Sequence, residues 1–247
     1  MGETKTMASP KNCQERSKDC SERANFYRYL GRLYYKELDD ELISQLAEGQ
    51  SILAISNDMN EDEQDFARGF NKMTKYVKHK TPDTLTESRC DYARVFLGAG
   101  TVCKDPVSPY ESVYTGEERL LMQEARDEML TSLASEGLTI EDSFNMPEDH
   151  ISFQFQYMAR LLDQESKSWQ EGRLEEAAAA SEKSQRFFND HLMNWVPTFC
   201  FEAKSIARTS FYRGLCECTD AWLRLESRSH GEASDKHTEE KSNDVDR

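Results

Sequence analysis

Residues 146–170 read MPEDHISFQFQYMARLLDQESKSWQ, and most of this stretch decides the fold class. Apolar side chains recur along it at the spacing of one helical face: Ile151, Phe155, Met158, Leu162 and Trp169. Residues three and four apart share a face of an α-helix, so this period is that of an amphipathic helix. The stretch therefore predicts a long helix that buries one side.

The first residues of the same stretch fit a helix start. Asn145 suits the N-cap, and Pro147 suits the first turn because its missing N–H has no partner there. Glu148 and Asp149 place negative charge at the positive end of the helix dipole. His150 has no part in this explanation, since a charged imidazole is slightly unfavourable in a first turn.

Helical periodicity continues on both sides of this stretch, and no segment alternates apolar and polar residues as a strand does. Residues 1–20 and 228–247 are polar and aperiodic, so we expect disordered tails there, the second of them acidic. Between them, residues 21–227 are expected to form one body. The sequence predicts an all-α fold, a single compact domain of about nine or more helices.

Capping residues mark several expected boundaries. Asp39 suits the N-cap of a short helix that Gly49 closes. Thr115 and Glu118 have the spacing of a capping box, which predicts a helix from there to Gly137. Three further helices are expected at residues 175–192, 196–207 and 209–225.

The charge balance excludes one class of partner and favours another. The chain carries 46 acidic and 31 basic residues, a formal net charge of -15. Such a surface repels phosphate backbones, so nucleic-acid binding is disfavoured, whereas a basic peptide is a suitable partner. No apolar run is long enough to span a membrane, and the N-terminus lacks the apolar region of a secretory signal. We therefore expect a cytoplasmic protein without stable membrane insertion.

Motifs of covalent chemistry and of metal binding are missing from the sequence. It contains no GxxxxGK[ST], HExxH or GxSxG segment. The seven cysteines include no CxxC pair, which favours reduced thiols over a disulfide framework or a zinc site. We expect no catalytic residue, no metal and no cofactor.

One long irregular stretch interrupts the helical pattern. Residues 98–114, GAGTVCKDPVSPYESVY, carry two prolines followed by two tyrosines. A loop of this length inside a helical domain is uncommon and is often functional.

Several segments, in this order, resemble one known family. They are RVFLG (94–98), PYESVY (109–114), EERLL (117–121), PEDHI (147–151), FFNDHLMNWVPTF (187–199) and FYRGL (211–215). Together they resemble the TorD/DmsD family of redox-enzyme maturation chaperones, also called Tat proofreading chaperones. The resemblance covers roughly residues 22–226.

This resemblance implies an all-helical chaperone that performs no covalent chemistry. Its expected partners are the twin-arginine signal peptide and the apo-form of a molybdenum oxidoreductase catalytic subunit. The chaperone would hold the molybdopterin enzyme precursor until its cofactor is inserted, and so delay export by the Tat pathway. Two departures from the family pattern, Met146 and Gly100, leave the identity of the client open.

The resemblance also implies a set of peptide-binding residues. They are Tyr92, Val95, Phe96, Tyr110, Glu111, Ser112, Tyr114, Pro147, Asp149 and His150. A receptor for such a peptide needs carboxylates for guanidinium groups and an apolar or aromatic groove. Asp149 and Glu111 supply the first, and the aromatic residues supply the second. We expect a groove formed by residues 98–114, the end of the preceding helix and the segment at Pro147.

Two functions from other classes remain open at this point. One is a hydrolase or a nucleotide-using enzyme with Asp149 and His150 at its site. The other is a helical scaffold that binds a folded partner through its acidic surface. A monomer and a domain-swapped dimer are both compatible with the sequence.

Overall fold

The computed structural model of the protein describes residues 10–99, 107–139 and 146–245. The regular elements in these ranges are all helices, which confirms the predicted all-α fold. The chain divides into two compact units, each made of two separate stretches. Unit 1 comprises residues 1–35 and 110–194, and unit 2 comprises residues 36–109 and 195–247.

Ten α-helices and one π-helical turn lie in the described ranges, and we number the helices along the chain. They are α1 (Pro10–Tyr35), α2 (Asp40–Gly49), α3 (Glu61–Lys78), α4 (Thr84–Phe96), α5 (Ser112–Thr115), α6 (Glu124–Ser135), α7 (Ile151–Gln170), α8 (Leu174–Phe187), α9 (Val196–Ile206) and α10 (Ser210–Val245). The π-helical turn spans Phe188–Met193 and follows α8. Unit 1 holds α1, α5 to α8 and this turn, and unit 2 holds the rest.

Unit 1 is built on the packing of α1 against α7. The predicted apolar face of α7 is buried, and Phe155 on it is fully inaccessible. Two tyrosines of α1 contact this ring, with centroid distances of 5.7 Å for Tyr27 and 6.0 Å for Tyr34. The apolar residues whose spacing predicted this helix are thus among the residues that α7 contributes to the core of unit 1.

The first helix begins within the predicted N-terminal tail. Residues 10–20 form the first turns of α1, and Cys13 and Cys20 pack there against Trp169 and Ala177. Thiols behave as small apolar groups when they are buried. Cys13 and Cys20, seven residues apart, therefore form an apolar contact surface on a segment whose other residues are mostly polar. At the other end, α10 extends through Val245.

Unit 2 is built on a close crossing of α3 and α10. The two helices meet at Gly69 and Gly214, where a Cβ added at Gly214 would lie 2.6 Å from the carbonyl oxygen of Gly69. A Cβ at Gly69 would lie 2.5 Å from the backbone nitrogen of Cys218. Real side chains do not tolerate such approaches to backbone atoms, so only glycine fits on both sides of this crossing.

A second tie within unit 2 joins α4 to the start of α10. The carboxylate of Asp91, which is 1% exposed, accepts hydrogen bonds from the backbone nitrogens of Arg208 and Thr209 at 3.0 and 2.7 Å. It also accepts one from the hydroxyl of Thr209 at 2.7 Å. Asp91 therefore binds backbone donors that precede the first turn of α10, a capping role supplied by another helix.

Some of the predicted helix boundaries are correct and others are not. The Asp39 side chain caps α2 by accepting a hydrogen bond from the nitrogen of Leu42, and α2 ends at Gly49 as expected. Gly137, with a φ of +65°, follows the end of α6. The predicted capping box at Thr115 is wrong, because Thr115 ends the short α5 and α6 begins only at Glu124.

The described cysteines are all free, and Cys103 lies outside the described residues. Cys90 is exposed, whereas the other described cysteines are buried. None of the helices in the described ranges combines the length and the apolar character that crossing a membrane requires.

We predict that Gly214→Ala destabilises the protein, although alanine is normally the better helix former. The added methyl group would meet backbone atoms of α3, and such overpacking costs about 1–3 kcal/mol. Urea denaturation followed by circular dichroism at 222 nm measures this loss. Gly49→Ala is the matched control, because nothing lies within 4 Å of a Cβ there. We expect it to leave the free energy of unfolding unchanged or to raise it by up to about 1 kcal/mol.

Candidate functional site

Two of the sequence motifs that suggested a site are in direct contact within unit 1. Tyr110 and His150 form an isolated antiparallel bridge, and their ring centroids lie 4.9 Å apart in an edge-to-face arrangement. The backbone nitrogen of Ser112 donates to Oδ2 of Asp149 at 2.9 Å, across 37 positions of sequence. The PYESVY and PEDHI segments are therefore joined by backbone and side-chain bonds.

The side chain of Glu111 lies at the centre of this arrangement. It is 1% exposed, and one carboxylate oxygen accepts from Nε2 of Gln154 on α7 at 2.5 Å. The same oxygen lies 3.1 Å from Nδ1 of His191 in the π-helical turn. The other oxygen accepts from Nδ2 of Asn194 at 3.1 Å. Three hydrogen-bond partners thus satisfy a carboxylate whose burial would otherwise be costly.

The start of α7 lies later in the chain than the sequence suggested. His150 is the N-cap, and its Nδ1 accepts a hydrogen bond from the nitrogen of Ser152 at 3.1 Å. Pro147 instead begins a turn, since its carbonyl accepts from the nitrogen of His150 at 3.2 Å. The predicted first-turn position of Pro147 is wrong, and Asn145, the predicted N-cap, lies outside the described residues. His150, the residue without an explanation, is the cap.

The environment of His150 excludes a role as a general base near neutral pH. Its ring is 2% exposed, and burial lowers its pKa to about 3. The hydroxyl of Ser152 lies 2.7 Å from Nδ1, a distance that a nucleophile and its base also show. Ser152 is likewise 2% exposed, so no substrate reaches the pair. The contact stabilises the helix start.

His191 has the opposite electrostatic environment. Burial lowers its pKa, but the hydrogen bond and the charge of Glu111, together with Glu128 and Asp190, outweigh that effect. The pKa of His191 is therefore raised above its ordinary value. A protonated imidazole at this position donates to Glu111 and offsets part of its charge.

Asp149 is buried and only partly satisfied. Its Oδ2 accepts from Ser112, whereas its Oδ1 is inaccessible and has no hydrogen-bond partner among the described residues. The pKa of the Tyr110 phenol is also affected by these surroundings. Burial raises its pKa, and the nearby charge of Asp149 raises it further.

An acidic cleft of about 710 Å³ opens beside this network. Its described lining residues are Glu111, Thr115, Gly116, Glu117, Glu118, Gln123, Glu124, Ala125, Glu128 and Asn194. Five of them are glutamates, and none is a lysine or an arginine. Glu111 and Asn194 belong both to the cleft and to the buried network, whereas the other glutamates are exposed. The cleft therefore has the electrostatic character of a cation-binding surface.

The remaining predicted site residues belong to unit 2. Tyr92, Val95 and Phe96 are at most 5% exposed. Phe96 contacts Tyr212 edge to face at 5.5 Å, and Tyr92 contacts Phe96 at 5.1 Å. Within unit 2 these side chains form part of an aromatic core.

Sequence reasoning missed several residues of the site in unit 1. Gln154, His191 and Asn194 complete the Glu111 network, and Glu124 and Glu128 line the cleft. His191 and Asn194 lie in and directly after the π-helical turn. Single π-helical turns occur frequently at functional sites, but their sequences have no distinct period. The segment FNDHLMN, residues 188–194, was the sequence feature that could have pointed to His191 and Asn194.

The sequence is similar to one protein family and to several known proteins. The model of the nitrate reductase delta subunit family matches residues 59–201. The Chaperone protein TorD of Photobacterium profundum is 25% identical over 83% of this chain and 93% of its own length. The TorD of Colwellia psychrerythraea is 26% identical over 89% of this chain and 96% of its own. That of Vibrio cholerae is 27% identical over 72% of this chain and 77% of its own length.

We predict that Glu111→Gln lowers the free energy of unfolding by about 2–4 kcal/mol. The amide keeps the shape of the side chain but replaces one acceptor oxygen by an NH2 donor that faces the donors of its partners, so buried hydrogen bonds are lost. Chemical denaturation measures the change. Glu118→Gln, an exposed residue of the same cleft, is the control and should change stability by less than about 0.5 kcal/mol. Equal effects of the two substitutions would contradict the role given to the buried network.

A pH series tests the buried state of His150. The folded-state pKa lies below that of the unfolded chain, so the unfolded state binds the proton first and stability is lost as the pH falls below about 6.5. We expect this group to contribute about 3 kcal/mol of destabilisation between pH 6.5 and pH 4. His150→Asn retains a good N-cap but does not titrate. Its stability should therefore fall less steeply than that of the wild type in this window, and parallel curves would refute the assignment.

Proposed function

Because this chain belongs to the TorD/DmsD family, of the nitrate reductase delta subunit type, we propose that it is a chaperone of redox-enzyme maturation. Its client is the apo-form of a molybdopterin-containing oxidoreductase. The chaperone binds the twin-arginine signal peptide of the precursor in the cytoplasm. It thereby delays Tat export until the cofactor is inserted.

The acidic cleft is the observation that carries this proposal. Four exposed glutamates, Glu117, Glu118, Glu124 and Glu128, surround an opening whose base includes Glu111. Paired arginines present planar donors that match carboxylates in a bidentate geometry. Within unit 1 the cleft thus supplies the counter-charge that a twin-arginine motif requires.

The predicted peptide-binding residues of unit 1 take two roles in this proposal. The half-buried Tyr114 lies beside the cleft and is available for contact with the peptide, whereas Glu111, which is 1% exposed, forms the buried base of the cleft. Ser112, Asp149 and His150 are buried and hold the segment that carries them. Their effect on binding is therefore positional. Tyr92, Val95 and Phe96 are buried in the core of unit 2, and a part for them in peptide binding is proposed on the family resemblance alone.

The two alternative functions receive less support. A hydrolase or a nucleotide-using enzyme with Asp149 and His150 at its site lacks both an accessible base and an accessible nucleophile. A scaffold that binds a folded partner through general acidity needs charge spread over its surface. Five glutamates of unit 1 instead converge on one opening, which favours a short cationic ligand.

We predict that Glu124→Gln combined with Glu128→Gln weakens binding of a twin-arginine signal peptide about tenfold. Each substitution removes a carboxylate that meets a guanidinium group, and charged hydrogen bonds of this kind contribute about 1 kcal/mol or more. Isothermal titration calorimetry of the full chain with a synthetic signal peptide measures the effect. The affinity should also fall with added salt.

The matched control is Glu15→Gln combined with Glu182→Gln. It makes the same change in net charge at two exposed positions of unit 1 that do not line the cleft. We expect it to bind the peptide within about twofold of the wild type, because surface charges beyond a Debye length are screened. Equal losses in the two double variants would show that only total charge matters, as the scaffold alternative requires.

A further inference from the structure

Three consecutive apolar side chains are exposed in the segment between α5 and α6. Leu120, Leu121 and Met122 are 50%, 47% and 62% exposed. Single exposed apolar residues are common on protein surfaces, whereas a contiguous group marks a site of interaction. We call these three residues the apolar loop.

The backbone of this segment is held in a defined conformation. Arg119 and Met122 have φ values of 52° and 59°, a region that side chains other than glycine rarely adopt. The nitrogen of Gln123 donates to the hydroxyl of Ser112 at 3.1 Å, and its side-chain amide donates to the carbonyl of Leu121 at 3.0 Å. The guanidinium of Arg119 lies 5.1 Å above the ring of Tyr114. An unfavourable backbone conformation fixed by local bonds is a sign of a functional segment.

The apolar loop is continuous with the acidic cleft. Glu117 and Glu118 line the cleft immediately before Arg119, and Gln123 and Glu124 line it immediately after Met122. A ligand whose positive charges occupy the cleft therefore meets apolar side chains at its edge. The matching ligand is a peptide with basic residues followed by an apolar run.

We infer that the apolar loop binds the apolar segment of the same peptide whose basic residues enter the acidic cleft. This inference rests on the proposed function and adds a second contact surface to it. The cleft supplies charge attraction and orientation, whereas the loop supplies burial of apolar area. A peptide with only one of the two features would engage only half of the site.

Charge argues against two other occupants of the loop. A second copy of this chain carries the same net charge of -15 and the same acidic cleft beside its loop. A membrane surface with anionic lipids is repelled by the same glutamates. Both occupants would bring negative charge against negative charge, whereas a basic peptide would not.

The test combines one loop variant with two peptides. The variant is Leu120→Ser, Leu121→Ser and Met122→Asn, because asparagine tolerates a positive φ better than most residues. One peptide has two arginines followed by an apolar run, and the other has the same arginines followed by serines. We expect the variant to bind the first peptide about tenfold or more weakly than the wild type, and the second within about twofold.

Phe201→Ser is the control for loss of an exposed apolar side chain, since Phe201 is 71% exposed and lies on α9 of unit 2. It should bind both peptides as the wild type does. Circular dichroism and thermal unfolding verify that each variant is folded. If the triple variant does not fold, Met122→Asn alone should weaken the first peptide about threefold and leave the second unchanged.

The possible failures are distinguishable. Wild-type affinity of the folded loop variant for the first peptide overturns the inference but leaves the proposed function intact. Equal losses for both peptides also overturn it, because the loop would then act only on the shape of the cleft. A dimer that dissociates in the loop variant, or sedimentation of the wild type with vesicles of phosphatidylglycerol that the loop variant loses, would assign the loop to another occupant. Failure of the first peptide to bind the wild type overturns the proposed function itself.

Discussion

Unit 1 depends on the buried carboxylate of Glu111. Removing a carboxylate from water costs several kcal/mol unless donors replace the lost hydration. Glu111 obtains those donors from Gln154 on α7 and from His191 and Asn194 around the π-helical turn. Three separate stretches of chain must therefore be in place together. Since Glu111 and Asn194 also line the acidic cleft, the requirement that keeps the core satisfied also places the base of the candidate site.

The two histidines of this region illustrate how position decides chemistry. His150 has no carboxylate partner among the described residues and is kept neutral by burial, which suits a cap that accepts a hydrogen bond from the backbone. His191 faces Glu111, and the carboxylate raises the pKa of the imidazole. Neither environment provides an accessible base of moderate pKa, the usual requirement of acid–base catalysis. The exposed surface of unit 1 instead presents the glutamates of the acidic cleft beside the apolar loop, which suits binding of a peptide.

The sequence predicted those parts of the structure that depend on local rules. The apolar period of α7 and the Asp39 cap of α2 involve neighbours within one or two turns, and both were correct. Tertiary contacts defeated the same rules elsewhere. The PED segment precedes α7 because Asp149 bonds to Ser112, which is distant in sequence. Gln154 and Asn194 were missed for a similar reason, since a side chain's distant partner leaves no periodic trace in the sequence.

The alternation of the two units along the chain has a consequence for how the protein is made. Residues 36–109 are synthesised before residues 110–194, which complete unit 1, whereas α10, the partner of α3, is synthesised last. Unit 1 can close around Glu111 while α3 still lacks its partner. Closing unit 2 afterwards joins the ends of an already ordered insertion, so the loop to be closed is shorter in effect than its sequence. A chain truncated before residue 210 would thus have a complete unit 1, but the surface of α3 around Gly69 would lack the helix that packs on it.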